Sequence, residues 1–184
     1  LSHMMRAIAS HKPGVITKVG TKTFVDPRID GGKVNDAAEN SGENIVELLD
    51  LHGSEYLFYP AFPIDVAIIK GSIADRDGNI SIEKEAIHIE QFEMAAAARN
   101  SGGIVMVQVD RIVDHGGIHP QMVTVPSTLV DYVIQGTPGN TGQHFIPDQD
   151  FVPSWCGDEK IPFGDIKPLP LDTHKVICRR ACME

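Results

Sequence analysis

Two stretches, Asp65-Val-Ala-Ile-Ile-Lys70 between Pro63 and Gly71, and Ile104-Val-Met-Val-Gln-Val109 after Asn100-Ser-Gly-Gly103, decide the fold class. Each is a short, nearly continuous apolar run, the pattern of a strand buried on both faces. Between them Glu83 to Arg99 carries Ala86, Ile89, Glu90, Glu93, Met94 and Ala95 through Ala98, a composition that favours helix. Asn100-Ser-Gly-Gly103 supplies its stop. A strand, a helix and a strand joined by short links predict a right-handed crossover and parallel pairing. The chain is therefore expected to be α/β, a mainly parallel sheet with flanking helices.

Outward from this unit, Leu1 to Ser10 is an amphipathic pattern that reads as the end of a helix. His11 to Asn44 is rich in Gly, Pro and polar residues, including Asp26-Pro27 and Gly31-Gly32, and reads as one long loop. Ile45 to Leu51 and Tyr56 to Tyr59 are strand candidates, joined through His52-Gly53-Ser54 as a hairpin. A further strand is expected at Leu129 to Ile134. The stretch from Gly136 to Pro170 holds six of the twelve prolines and reads as an extended loop or linker. The last residues, Leu171 to Glu184, show helical spacing with Asp172 as N-cap.

The 184 residues suit one domain with a sizeable core, and 42% hydrophobic with 22% charged content is ordinary for a globular protein. A formal charge of -9 disfavours nucleic acid as a partner. Lys175, Arg179 and Arg180 read as the solvated last turns of the final helix. No apolar run approaches a membrane span, so no membrane partner is expected. Cys156, Cys178 and Cys182 form no even framework, which together with the lack of a visible signal peptide points to reduced thiols in the cytoplasm.

Local motifs give little chemistry. His115-Gly-Gly-Ile-His119 has metal-ligand spacing, but the two glycines argue against the helix needed to present it, and no metal is expected. Asp75-Arg-Asp-Gly-Asn79 lacks the ligand alternation of a calcium loop and reads as a tight turn between strands. No glycine-rich phosphate loop and no Gly-x-Ser-x-Gly elbow occurs.

The chain as a whole resembles the class I CoA-transferases, in particular the acetate and propionate CoA-transferase branch and, more distantly, ketoacid CoA-transferase. The resemblance is carried by His11-Lys-Pro-Gly-Val-Ile-Thr-Lys18, Thr23-Phe-Val-Asp-Pro-Arg28 and Gly31-Gly-Lys-Val-Asn35. It continues through Ala61-Phe-Pro-Ile-Asp-Val-Ala-Ile-Ile-Lys-Gly71, Ala74-Asp75, Asp77-Gly-Asn-Ile-Ser81, Asn100-Ser-Gly-Gly-Ile-Val105 and Val125-Pro-Ser-Thr-Leu-Val-Asp-Tyr132. No single stretch is diagnostic; their order and spacing are.

The resemblance implies two similar α/β lobes with the active site between them. On that basis residues 1–135 are expected to be part of a first lobe, incomplete at both ends. Residues 136–170 would be an extended loop or interlobe linker, and residues 171–184 the start of a second-lobe helix. The implied chemistry transfers CoA between short-chain acyl groups and carboxylic acids through a glutamyl-CoA thioester, with CoA as substrate and no cofactor. The implied nucleophile lies in a Glu-x-Gly loop after a strand of the second lobe, and no catalytic residue is assigned within this chain. Glu39-Asn-Ser-Gly42 differs from that loop in spacing and context, and Glu83, Glu85, Glu90 and Glu93 read as a solvated helix face. The implied substrate-binding residues are Thr23, Phe24 and Asp26, in the loop nearest the acyl site. Lys22 stands before Thr23 where close relatives have Gly.

Such a chain is expected to assemble with a missing second lobe or partner subunit, to form a homo-oligomer, and to be inactive alone. A naturally short, non-catalytic lobe that pairs with a partner subunit is the alternative. A sugar-phosphate isomerase on a related fold lacks support, because the phosphate loop is absent. A lobe of this kind is also expected to leave apolar surface open and to self-associate or be marginally stable.

Overall fold

The computed structural model describes residues 1–137 and 151–183. Its centre is the predicted parallel unit. Strands β4 (Val66–Lys70), β7 (Ile104–Val109) and β9 (Tyr132–Gln135) form a sheet in the order β4-β7-β9, with both pairings parallel. Helix α3 (Gln91–Asn100) makes the crossover from β4 to β7 and lies on one face of the sheet. That face is dry: Ala67, Ile69, Val105, Val107 and Val109 pack with Ala95 and Ala98. The run of alanines lets the helix backbone approach the sheet closely. Helix α1 (Ser2–Ala9) packs on α3 through Met5, Ile8 and Ala97, and Arg6 reaches Glu93 at 3.1 Å.

The opposite face of this sheet departs from the expectation of burial on both sides. Val66, Ile104, Tyr132 and Ile134 are exposed, and Ile68 is 76% exposed. Alternation places these side chains away from α3, and no described element covers them.

The crossover helix begins eight residues later than its composition predicts. Ile82 is buried, Ser72 Oγ accepts the Lys84 N–H at 2.8 Å, and Glu85 accepts from Lys70 Nζ at 2.8 Å. These tertiary partners hold residues 83–90 in a non-helical path that turns at Glu90, φ 40°. Glu83 and Glu85 are consequently half-buried in a loop rather than on a solvated helix face. The last strand is likewise shorter than predicted. Residues Ser127–Leu129 form a 3₁₀ turn after Pro126, and Asp131 closes onto Val105, its N–H donating to the Val105 carbonyl (3.0 Å) and its carboxylate accepting the Val105 N–H (2.9 Å).

Two smaller sheets flank the centre. Strand β5 (Ile73–Asp75) pairs antiparallel with β6 (Ile80–Ser81) and parallel with β8 (Arg111–Val113). Asp75-Arg-Asp-Gly-Asn79 is the tight turn between the first two, with Asp75 Oδ1 accepting from the N–H groups of Asp77 and Asn79. The predicted hairpin is β2 (Glu47–Leu51) and β3 (Ser54–Pro60), turned by His52 and Gly53 with φ of 55° and 75°.

Strand β1 (Gly14–Thr17) then adds to β3 as an edge strand. It and helix α2 (Asp36–Asn40) lie inside the segment expected to be irregular. The β-branched Val15-Ile-Thr17 takes its partner from β3, more than forty residues away, a pairing that local composition cannot register.

After the undescribed residues, α4 (Pro153–Cys156) and a 3₁₀ turn at Phe163–Asp165 lead to α5 (Thr173–Ala181). Lys84 pairs with Asp158 and ties this segment to the body. Asp172 caps α5 as predicted, accepting the Lys175 N–H at 2.7 Å, and Val176, Ile177 and Cys178 are exposed. The predicted linker, residues 136–170, falls partly outside the described residues.

Candidate functional site

The loop between β1 and α2 holds all three residues expected to touch substrate, and its conformation follows from one carboxylate. Asp26 is 1% exposed, covered by its own loop at the surface of the molecule. Its Oδ2 accepts the Lys22 N–H at 2.8 Å, and Oδ1 the Arg28 N–H at 3.1 Å. The Arg28 guanidinium grips the same carboxylate with Nε to Oδ1 at 3.0 Å and Nη2 to Oδ2 at 2.9 Å. Arg28 Nη1 then reaches both oxygens of Glu55 on β3, at 3.0 and 2.9 Å. A planar guanidinium matches a carboxylate in this two-bond geometry, which fixes orientation as well as charge.

The main chain winds around Asp26 in successive turns. Its N–H donates to the Thr23 carbonyl, and its carbonyl accepts from Ile29 and Gly31. Gly20 must be glycine here: at φ 99°, a Cβ would sit 2.5 Å from Val25 and 2.6 Å from the Tyr59 hydroxyl. Lys22 adopts φ 63°, a left-handed conformation that costs a non-glycine residue about 1 kcal/mol. Its N–H bond to Asp26 holds it there.

The electrostatics agree with this geometry. The Arg28 guanidinium, followed by the Lys22 N–H, drives the Asp26 carboxyl well below the usual carboxylate range. Asp26, followed by Glu55, raises Arg28 in turn. Partial burial, and then the negative charge of Asp26, pushes the Tyr59 phenol up.

The three predicted residues are thus brought into one loop but occupy different positions. Phe24 projects from it, 55% exposed, while its carbonyl accepts the Gly32 N–H at 2.9 Å. The Thr23 side chain is exposed, with its hydroxyl donating to the Gly20 carbonyl at 2.7 Å. The Asp26 carboxylate faces inward and is fully engaged. The loop presents an aromatic ring and holds it with a charge pair beneath.

The other candidates stand apart. Glu39 is exposed on α2, which Asn35 caps and which no strand precedes. His115 Nδ1 lies 2.7 Å from Asp77 Oδ1, and His119 Nδ1 accepts the Gln121 N–H at 3.2 Å, so each imidazole has a local partner.

One cluster was not foreseen. Lys70, at the carboxyl end of β4, lies 2.8 Å from Glu85 and 3.3 Å from Asp110, which follows β7. The carboxyl ends of parallel strands are where open α/β sheets bind ligands, but Lys70 is matched there by two carboxylates and offers no free charge. Only the position of Lys70 as the terminal residue of an apolar run could have marked it.

The model of the family described as Coenzyme A transferase matches residues 1–136, and the chain belongs to that family. Over 182 residues it is 43% identical to the caffeate CoA-transferase of Acetobacterium woodii, covering 99% of this chain and 34% of that protein. It is 35% identical to acetate CoA-transferase YdiF of Escherichia coli O157:H7 over 184 residues, 100% of this chain and 34% of the relative. The crystal structure of the YdiF apoenzyme superposes with a TM-score of 0.81 at 34% identity, covering all of this chain and 33% of that one. The chain spans about a third of the length of the curated relatives it matches.

Proposed function

We propose that these residues are part of an acyl-CoA:carboxylate CoA-transferase that moves CoA between short-chain acyl groups and acids. The observation that carries this reading is the family match through residue 136, together with 43% identity to a CoA-transferase along nearly the whole chain. The chemistry runs through a glutamate carboxylate, which attacks the acyl-CoA thioester to give a mixed anhydride and expels the CoA thiolate. The thiolate attacks the glutamyl carbonyl, releasing the donor acid and leaving a glutamyl-CoA thioester. An acceptor carboxylate then takes CoA by the reverse of these steps. No Glu-x-Gly sequence occurs among these residues, so the nucleophile is supplied from outside them.

In this scheme the 20–32 loop forms one wall of a cleft completed by a second lobe or partner subunit. Thr23 and Phe24 meet the acyl end of the substrate, and Asp26 holds the loop that presents them. The described helices include none long and apolar enough to cross a membrane, and the three free thiols accord with a cytoplasmic setting.

The test is acetyl transfer from acetyl-CoA to propionate by the natural gene product, with borohydride trapping of its glutamyl-CoA thioester. The 184-residue chain alone is expected to show neither. Turnover or a trapped thioester on this chain would overturn the assignment of the nucleophile, and an intact gene product without transfer would overturn the function.

A further inference from the structure

Charge is divided unevenly along the chain. Residues 1–35 hold six basic residues against two acidic ones, a net +4, whereas residues 36–184 hold ten against twenty-three, a net -13. In the first group, Arg6 and Arg28 have carboxylate partners. Lys18 and Lys22 have none among the described residues. The Lys18 ammonium instead lies 5.0 Å above the Tyr56 ring.

These two lysines flank an apolar groove of about 510 Å³. It runs between α1 and the edge strand β1, lined by Met4, Val15, Ile16, Val19, Tyr59 and Phe62. Ile16, Val19 and Phe62 are 50%, 77% and 48% exposed, an apolar surface left open on an acidic chain. The Tyr59 hydroxyl donates to the Val19 carbonyl at 3.1 Å and fixes the end of the groove to β3. Lys18 and Val19 are consecutive, and the Thr21 N–H to Lys18 carbonyl turn (3.2 Å) brings Lys22 back toward the same end. Thr23 and Phe24 follow directly.

We infer that this groove is a subsite for a carboxylic acid, or its acyl group, whose apolar body is larger than that of acetate. The body lies against Ile16, Val19 and Phe62, and the anionic end meets Lys18 and Lys22. Apolar burial contributes about 25 cal/mol per Å², so acetate, with a single methyl, gains little from such a surface. Two exposed ammonium groups add modest, salt-sensitive selectivity for an anion. The inference rests on the CoA-transferase reading and narrows its substrate class.

The test titrates the 184-residue chain with octanoate, octanol, octanoyl-CoA and acetate while following backbone amides by NMR. Octanoate should give saturable shifts at Ile16, Val19 and Phe62, bind about fivefold more tightly than octanol at low salt, and lose that advantage at high salt. Acetate should leave these amides in place. Tighter binding of octanoyl-CoA with the same shifts identifies the thioester-borne acyl group as the occupant, and equal or weaker binding identifies the free acid. Val19→Asp should abolish the shifts. The double variant Lys18→Met, Lys22→Met should reduce octanoate to the affinity of octanol with the thermal melt unchanged. Equal binding of octanoate and octanol to the unaltered chain, or shifts confined to other residues, would overturn the subsite. Transfer to propionate by the gene product without octanoate binding here sinks the subsite alone; octanoate binding without any transfer sinks the transferase reading alone.

Discussion

The two faces of the β4-β7-β9 sheet carry nearly the same kind of side chain and live in opposite environments. Ala67, Ile69, Val105 and Val107 lie under the alanines of α3, while Val66, Ile68, Ile104 and Tyr132 one residue away face outward. The 20–32 loop reverses the arrangement, with a charged pair inside and the Phe24 ring outside. The lesson is that apolar composition shows a strand can be buried on both faces, while the elements packed against it determine which face is. A polar loop, in turn, acquires a fixed shape once one carboxylate gathers enough donors.

The sharpest way to break the comparison of faces is to put the same charge on each. Val107→Asp leaves an unpaired carboxylate under α3 and is expected to cost about 3–5 kcal/mol, enough to abolish a cooperative melt in urea or heat. Ile68→Asp should change stability by less than about 0.5 kcal/mol and lower self-association in light scattering. Equal destabilisation by the two would show that the outer face is covered in solution.

A smaller, local effect tests the loop. Asp26→Asn removes the partner of Arg28 and should speed amide exchange and proteolysis from residue 18 to 33 while moving the global melt little. The pH dependence has a definite sign, because the folded carboxyl sits below its model value of 3.8. Its contribution to loop order is complete above about pH 4 and is lost as pH falls through the folded value. Amide protection at Lys22 and Arg28 should therefore persist from neutral pH into this acid range and fail below it. Loss already at pH 6 would mean that another group governs the loop.

The smallest expected effect comes from Lys22→Gly, which relieves a left-handed lysine and should stabilise the loop by up to about 1 kcal/mol, offset by the greater freedom of glycine when unfolded. A destabilisation would show that the Lys22 side chain contributes contacts of its own.

The sequence by itself determined the elements whose signal is local. The apolar runs of β4 and β7, the alanine helix and its Gly102-Gly103 stop, the His52-Gly53 turn and the Asp172 cap each carry their instruction within a few residues. It also carried the family resemblance, which depends on order and spacing rather than on any contact. What only the tertiary structure decided depends on partners distant along the chain. Strand β1 exists because β3 lies beside it, and residues 83–90 stay out of the helix because Ser72 and Lys70 bind them. The site follows the same division. Thr23, Phe24 and Asp26 could be picked out as a loop, but which of them faces solvent required the Arg28 bridge from Asp26 to Glu55. The physical reason is that main-chain propensity is a property of neighbours in sequence, whereas burial and charge pairing are properties of neighbours in space.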